Sequence, residues 1–187
     1  MPLETAPREE LHSEDLHRED TRRENTEVTV LSLPMHDPRV RPLLDQLAVE
    51  YESRYADLFG PGSAVKELNK YPAHEFAAPH GALIILEEHG QSVAGGAFRR
   101  HSPGTAEFKR IWTHTDHRRR GLARRVLVEL EAAAAALGYT EVYLTTGPRQ
   151  PEARALYLNT GYQPLFDVDA DPATLPFLAF TKPLPQL

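Results

Sequence analysis

One segment constrains this chain more than any other: HRRRGLARRVLVELEAAAAALGY, His117–Tyr139. Leu122, Val126, Leu130, Ala133 and Leu137 recur every three or four residues, which gives a helix one continuous apolar face. Gly138 stands where a left-handed residue commonly closes a helix. The spacing predicts a helix over roughly Arg119–Leu137 that must pack on a sheet. Its head needs a separate explanation, because a solvated surface accounts for arginines but not for a glycine among them. The first N–H groups of a helix lack partners, and the macrodipole places about half a positive charge there. Phosphate oxygens satisfy both. Gly121 has no side chain to hold a ligand off the backbone, and Ala123 keeps the next turn small. Arg118, Arg119, Arg120 and Arg124 add charge attraction. The pattern R-x-x-G-x-A over Arg118–Ala123 therefore predicts a diphosphate held at a helix start.

The rest of the chain supplies the sheet. EVTVLSL (Glu27–Leu33) alternates as a half-buried strand does, and Leu43, Leu44, Leu47, Tyr51 and Tyr55 mark one face of a helix. Pro61–Ser63 and the aperiodic stretch to Pro79 predict a loop with room for a short helix. GALIILEE, SVAGGAFRR and AEFKRIWTH follow as three strands, joined by turns at Glu88–Ser92 and Ser102–Thr105. After the long helix come the strand TEVYLTT, the short helix PEARALYLNTGY ended by Gly161, and two closing strands in QPLF and FLAFTKPL. The order β-α-β-β-β-α-β-α-β-β predicts a single α/β (α+β) domain over residues 27–187. Its sheet is mixed and mostly antiparallel, with one strand–helix–strand crossover. Residues 1–27 hold nine acidic and four basic side chains, against 18 acidic and 17 basic in the remainder. Most of the formal charge of −6 thus belongs to the N-terminal end, where residues 1–26 are expected to form a tail too poor in apolar residues to fold alone.

With these elements around it, the motif resembles the coenzyme A signature [Q/R]-x-x-G-x-[G/A] of the GNAT superfamily of acyl-coenzyme A-dependent N-acetyltransferases. AEFKRIWTHTDHRRRGLA is similar to that family's fourth strand and pyrophosphate loop. LTTGPRQPEARALYLNTGYQPL is similar to its fifth strand, fourth helix and final motif, so the likeness spans about residues 27–184. Thr115 stands where many members have proline, Thr113 where valine is common, and Ala123 where glycine is more usual. The resemblance implies the GNAT fold, with its sheet splayed at the central strands, and acetyl-CoA as cosubstrate.

It also implies roles. Gly121, Leu122, Ala123 and the four flanking arginines would hold the diphosphate. The backbone of Ile111, Trp112 and Thr113 would receive the pantetheine arm and offer one N–H to the thioester carbonyl. Gln150 sits where relatives often have a coenzyme-contacting asparagine. The acceptor would be a primary amine. At a pKa of about 10.4 such an amine is neutral in roughly 1 part in 2,500 at pH 7, a cost of about 4.6 kcal/mol, so a general base is useful. Glu107 matches the base position of the family's histone-acetylating branch; the competing reading is an ion pair with Lys109 on one strand face. Tyr157 matches the family's general-acid tyrosine; the competing reading is a core aromatic. Because the thioester is already activated, direct attack in a ternary complex suffices without an acyl-enzyme. An acetyl-CoA-binding regulatory module without turnover is the alternative.

Other chemistries fit less well. With no cysteine there is no disulfide, no thiolate zinc site and no cysteine nucleophile. His114, Asp116 and His117 lie beside a row of arginines that would repel a metal cation, so no metal is expected. A nearly neutral domain without a nucleic-acid-reading module argues against nucleic acid as a partner. No apolar run approaches the ~18 residues of a membrane span, and the charged N-terminus is unlike a signal peptide. A cytoplasmic protein is expected. The identity of the amine and the choice between monomer and homodimer stay open.

Overall fold

The computed structural model describes residues 27–185. The acidic segment expected to be a solvated tail lies outside the described residues. In chain order the elements are β1 (Thr29–Ser32), α1 (Arg41–Phe59), α2 (Ser63–Leu68), β2 (Ala82–Glu88), β3 (Gln91–Ser102) and β4 (Thr105–Thr113). They continue with α3 (Leu122–Ala136), β5 (Glu141–Thr146), α4 (Pro151–Asn159), β6 (Gln163–Pro164) and β7 (Leu178–Pro183). The strands form one sheet in the order β1-β2-β3-β4-β5-β7-β6. β4 and β5, joined through α3, are its parallel pair, and the other neighbours run antiparallel.

Two cores sandwich the sheet. α3 lays Leu122, Val126, Leu127, Leu130 and Ala134 on one face, against Phe98, Phe108, Val142, Leu144 and Phe180. α1 lays Leu43 and Leu47 on the other, against Leu83, Ile85, Ala97 and Trp112. β2 is buried on both faces: Ile84 and Leu86 enter the first core and Leu83 and Ile85 the second, which is why its sequence reads as an unbroken apolar run. The β2–β3 hairpin turns through His89 and Gly90, both at positive φ (51° and 75°), the conformation that matches strand twist in a two-residue turn.

α3 starts at Leu122, not near Arg119 as the apolar spacing suggests. Arg119 (φ 64°) and Gly121 (φ 78°) both adopt left-handed backbone, so the chain is still turning there. The far end follows the sequence: Gly138 has φ 84°, and Tyr139 N–H donates to the Ala134 carbonyl at 3.1 Å, closing the helix.

Two irregularities in β4 prepare the site. Its register with β3 passes from Ala97↔Lys109 to Gly95↔Trp112, three residues on β4 against two on β3. The extra residue is a bulge at Arg110, which has φ 61°. In addition, β4 pairs with β5 only from Thr105↔Glu141 to Phe108↔Leu144, while β5 continues to Thr146 beside β7. Past Phe108 the two parallel strands part, and the sheet opens into a wedge.

Candidate functional site

The wedge exposes the edge of β4 from Lys109 to Thr113 and that of β5 at Thr145 and Thr146. Trp112 and Ile111 point into opposite cores, so this part of β4 offers mainly backbone to anything entering the wedge. Polar side chains from α1 tie its rim together. Gln46 Oε1 accepts from Trp112 Nε1 (3.0 Å) and from the Thr115 amide (3.2 Å). Across the gap, Gln150 Oε1 accepts from Thr146 Oγ1 and the Gly147 amide, each at 3.1 Å, and its Nε2 donates to Glu50 Oε1 at 3.3 Å. The other Glu50 oxygen takes Arg118 Nη2 at 3.2 Å. α1 comes so close that a Cβ on Gly147 would lie 1.9 Å from the Tyr55 hydroxyl.

Between β4 and α3 a turn at Thr115–His117 leads into the arginines. Among the described hydrogen bonds, none is donated by the main-chain amides of Arg118 through Arg124; the first to find an acceptor is Arg125, at the Gly121 carbonyl (3.1 Å). Gly121 heads the helix, and nothing lies within 4 Å of where a Cβ would stand. A row of unsatisfied donors with open space in front fits a multiply charged oxyanion.

The arginine side chains divide by task. Arg120 is committed inward: Nη2 reaches Glu88 Oε1 at 2.6 Å and Nη1 reaches Glu88 Oε2 at 2.9 Å. That grip holds the Glu88 carboxyl below the usual range, against the opposing effect of burial. Arg120 Nη1 also lies 2.7 Å from His117 Nδ1, so the loop is pinned to the end of β2. Arg118 is tied to Glu50, and Arg124 Nη2 donates to the Asn159 carbonyl at 3.3 Å. Arg119 has no polar side-chain partner among the described residues and is exposed.

Glu107 lies on the α1 side of β4 and is only 5% exposed. Its Oε2 accepts from Arg99 Nη1 at 2.6 Å, and its Oε1 lies 3.0 Å from Lys109 Nζ. Arg99 Nε also donates to Glu75 Oε2 at 2.5 Å, and its guanidinium sits 4.1 Å over the Tyr71 ring. Burial pushes the Glu107 carboxyl up, but the Lys109 charge and the hydrogen bonds from Lys109 and Arg99 outweigh it and leave the group below its ordinary value. The ion pair with Lys109 is thus present, in a buried cluster rather than on the surface.

Tyr157 on α4 is packed as a core aromatic, its ring 5.4 Å from that of Phe180 and 5.6 Å from that of Tyr162. The two tyrosines differ at the hydroxyl. Tyr162 donates to Glu131 at 2.9 Å, while the Tyr157 hydroxyl has no hydrogen-bond partner among the described residues. It is not sealed off either, since the fully buried partnerless side-chain atom among those residues is Arg154 Nε. Burial, with Tyr51 of α1 adding to it, pushes the Tyr157 hydroxyl well above its ordinary range, so it keeps its proton at neutral pH.

Sequence reasoning missed Gln46, Glu50, Tyr51, Glu88 and Arg99. Gln46 and Glu50 carry a legible signal, being one helical turn apart on α1. Glu88 and Arg99 carry none, since their partners are set by hairpin register.

Residues 45–162 match the family described as Acetyltransferase (GNAT) family. No curated protein matches the chain. Among solved structures, the PaiA N-acetyltransferase of Thermoplasma acidophilum, in complex with coenzyme A, is 13% identical with a TM-score of 0.64, over 84% of this chain and 99% of that one. A GNAT-family acetyltransferase of Staphylococcus aureus is 12% identical with a TM-score of 0.64, over 85% and 100%. An acetyltransferase of Streptococcus agalactiae is 20% identical with a TM-score of 0.59, over 84% and 98%. At these identities the structures speak for the fold, and the family match covers well over half of the sequence. The chain belongs to the GNAT family of acetyltransferases.

Proposed function

We propose that the protein moves the acetyl group of acetyl-CoA to a primary amine by direct attack in a ternary complex. The observation that carries this reading is the row of acceptor-free amides from Arg118 to Arg124, set beside the wedge between β4 and β5. The diphosphate takes those amides, with Gly121 leaving room for it, Leu122 and Ala123 opening the first turn and Arg119 adding charge. The pantetheine arm enters the wedge along the backbone of Ile111, Trp112 and Thr113. One of the amides there donates to the thioester oxygen as negative charge develops on it. Gln150 holds the opposite rim.

The proton inventory assigns the side chains. The amine must arrive neutral, since an ammonium has no lone pair. As the N–C bond forms, the nitrogen becomes far more acidic, and at that stage even a weak base accepts its proton. Glu107, ionised and held low by Lys109 and Arg99, is such a late acceptor, reached through water because both its oxygens are engaged. When the C–S bond breaks, the Tyr157 hydroxyl donates to the departing sulfur. The test is calorimetric titration with coenzyme A, followed by an amine panel scored by free-thiol release. Micromolar coenzyme binding with amine-dependent release supports the reading; absence of coenzyme binding overturns it.

A further inference from the structure

On the α1 side of β3 and β4 stand three cations, the half-buried Arg99 and Lys109 and the buried Arg110, with two carboxylates near them, Glu75 and Glu107. The carboxylates are spent: Glu75 on Arg99, and Glu107 on Arg99 and Lys109. Arg110 is left over. It is 9% exposed and makes no ion pair within 4.0 Å among the described residues. The bulge explains its place. An extra residue at φ 61° keeps its side chain on the Glu107 side of the strand while Ile111 crosses to the other. Non-glycine residues adopt that backbone rarely, and such strain gathers where a side chain must be aimed.

The guanidinium stacks 4.1 Å over the Phe76 ring. Nη2 donates to the Leu68 carbonyl at the end of α2, and Nη1 lies 3.2 Å from Met35 Sδ. Neither partner carries a charge, and most of its five N–H groups remain unused. Nε has no partner among the described residues, yet it is not among the fully sealed polar atoms, so that edge keeps some contact with solvent. Glu67 on α2 is close enough for its charge to act on Arg110 but makes no contact with it. Arg110 adjoins the wedge, since it lies past the last β4–β5 pair at Phe108 and immediately before Ile111–Thr113 on the open edge.

We propose that Arg110 receives a carboxylate of the acceptor, so that the substrate amine is an amino acid or another amine bearing a carboxylate. The inference rests on the acetyl-transfer reading of this same site. A buried cation without a counter-ion is costly, and a planar fork with a free Nε edge matches the two oxygens of a carboxylate. A polyamine or a polycationic antibiotic would bring more positive charge beside a guanidinium that has no ion-pair partner among the described residues.

Binding decides it separately from catalysis. Matched pairs (lysine and cadaverine, serine and ethanolamine, phenylalanine and phenethylamine) are titrated calorimetrically into the full chain saturated with coenzyme A, which carries no acetyl group to transfer. At least one carboxylated member is expected to bind about tenfold or more tightly than its decarboxylated partner. Arg110→Met is expected to erase the difference while leaving coenzyme affinity unchanged, and Arg110→Lys to restore part of it. The inference falls if no carboxylated amine binds at millimolar concentration, if the wild-type pairs bind equally, or if the preference survives in Arg110→Met. Should that variant not fold, the wild-type pairs decide the matter by themselves. A binding preference without thiol release from acetyl-CoA would instead sink the transfer reading and leave the carboxylate site standing.

Discussion

The loop before α3 and the α1 face of β4 are both rich in arginine, and they use it in opposite ways. In the loop the amides from Arg118 to Arg124 have no acceptor among the described hydrogen bonds, while Arg120 and Arg118 are drawn away by Glu88 and Glu50. On the α1 face of β3 and β4 the side chains of Arg99, Lys109 and Arg110 create the field. One region offers free amides, the other charged side chains. A count of basic residues does not separate them; the location of free N–H groups does.

The most damaging change should therefore be to backbone geometry, not to charge. Gly121→Val puts a β-branched residue at φ 78°, disfavoured by at least 1–2 kcal/mol, and fills the open space before the amides. Acetyl-CoA affinity is expected to fall about 100-fold by calorimetry. Gly121→Asn, which tolerates left-handed backbone, should lose much less. Equal losses in the two variants would mean that bulk, rather than conformation, controls the loop.

Next in size is Glu107→Gln, expected to lower kcat about 100-fold with little change in the KM for acetyl-CoA. pH sharpens this case. The Glu107 carboxyl is held below its ordinary range, so it stays ionised well into acid. Between pH 6 and 9 the wild-type rate should rise with deprotonation of the amine and show no limb from Glu107. The same shift has a stability sign. A carboxyl depressed by folding stabilises above its unfolded pKa, and that contribution is lost as pH falls through the folded value. The wild type should therefore exceed Glu107→Gln in Tm at pH 7, with the gap closing below about pH 4.5. A gap that persists unchanged in acid would assign the destabilisation to packing instead of charge.

How much of this is legible in the sequence follows the same division. Local pattern gives the elements: the helix face from Leu122 to Leu137, the turns at Glu88–Ser92 and Ser102–Thr105, and the cap at Gly138. It also points to the acceptor-free amides from Arg118 to Arg124, because R-x-x-G-x-A is contiguous and its physics is local. The start of α3 is misplaced by three residues, since apolar spacing does not register the left-handed turns at Arg119 and Gly121. Pairings across strands are out of reach. Arg99 meets Glu107 because of hairpin register, and Arg110 turns inward because of a bulge that leaves no mark in composition.

Tyr157→Phe should have a smaller effect that is confined to turnover. The ring keeps its packing against Phe180 and Tyr162, and the hydroxyl has no hydrogen bond among the described residues to lose. Tm should hold within a degree or two, while kcat drops about tenfold or more with a poor thiol leaving group. A fall in Tm without loss of turnover would return Tyr157 to the core.

The smallest effect tests the comparison most directly. Arg119 and Arg120 are adjacent, yet Arg119 faces solvent without a side-chain partner among the described residues and Arg120 grips the buried Glu88. Arg119→Ala should weaken acetyl-CoA about threefold at low salt and leave Tm unmoved, with the loss shrinking as salt rises, because an exposed charge is screened. Arg120→Ala should instead lower Tm by leaving Glu88 buried without its counter-ion, and should weaken the coenzyme only through a loosened loop. If the two variants behaved alike in both measurements, the arginines would form one diffuse patch, and the division between side chains that hold the loop and amides that hold the ligand would be wrong.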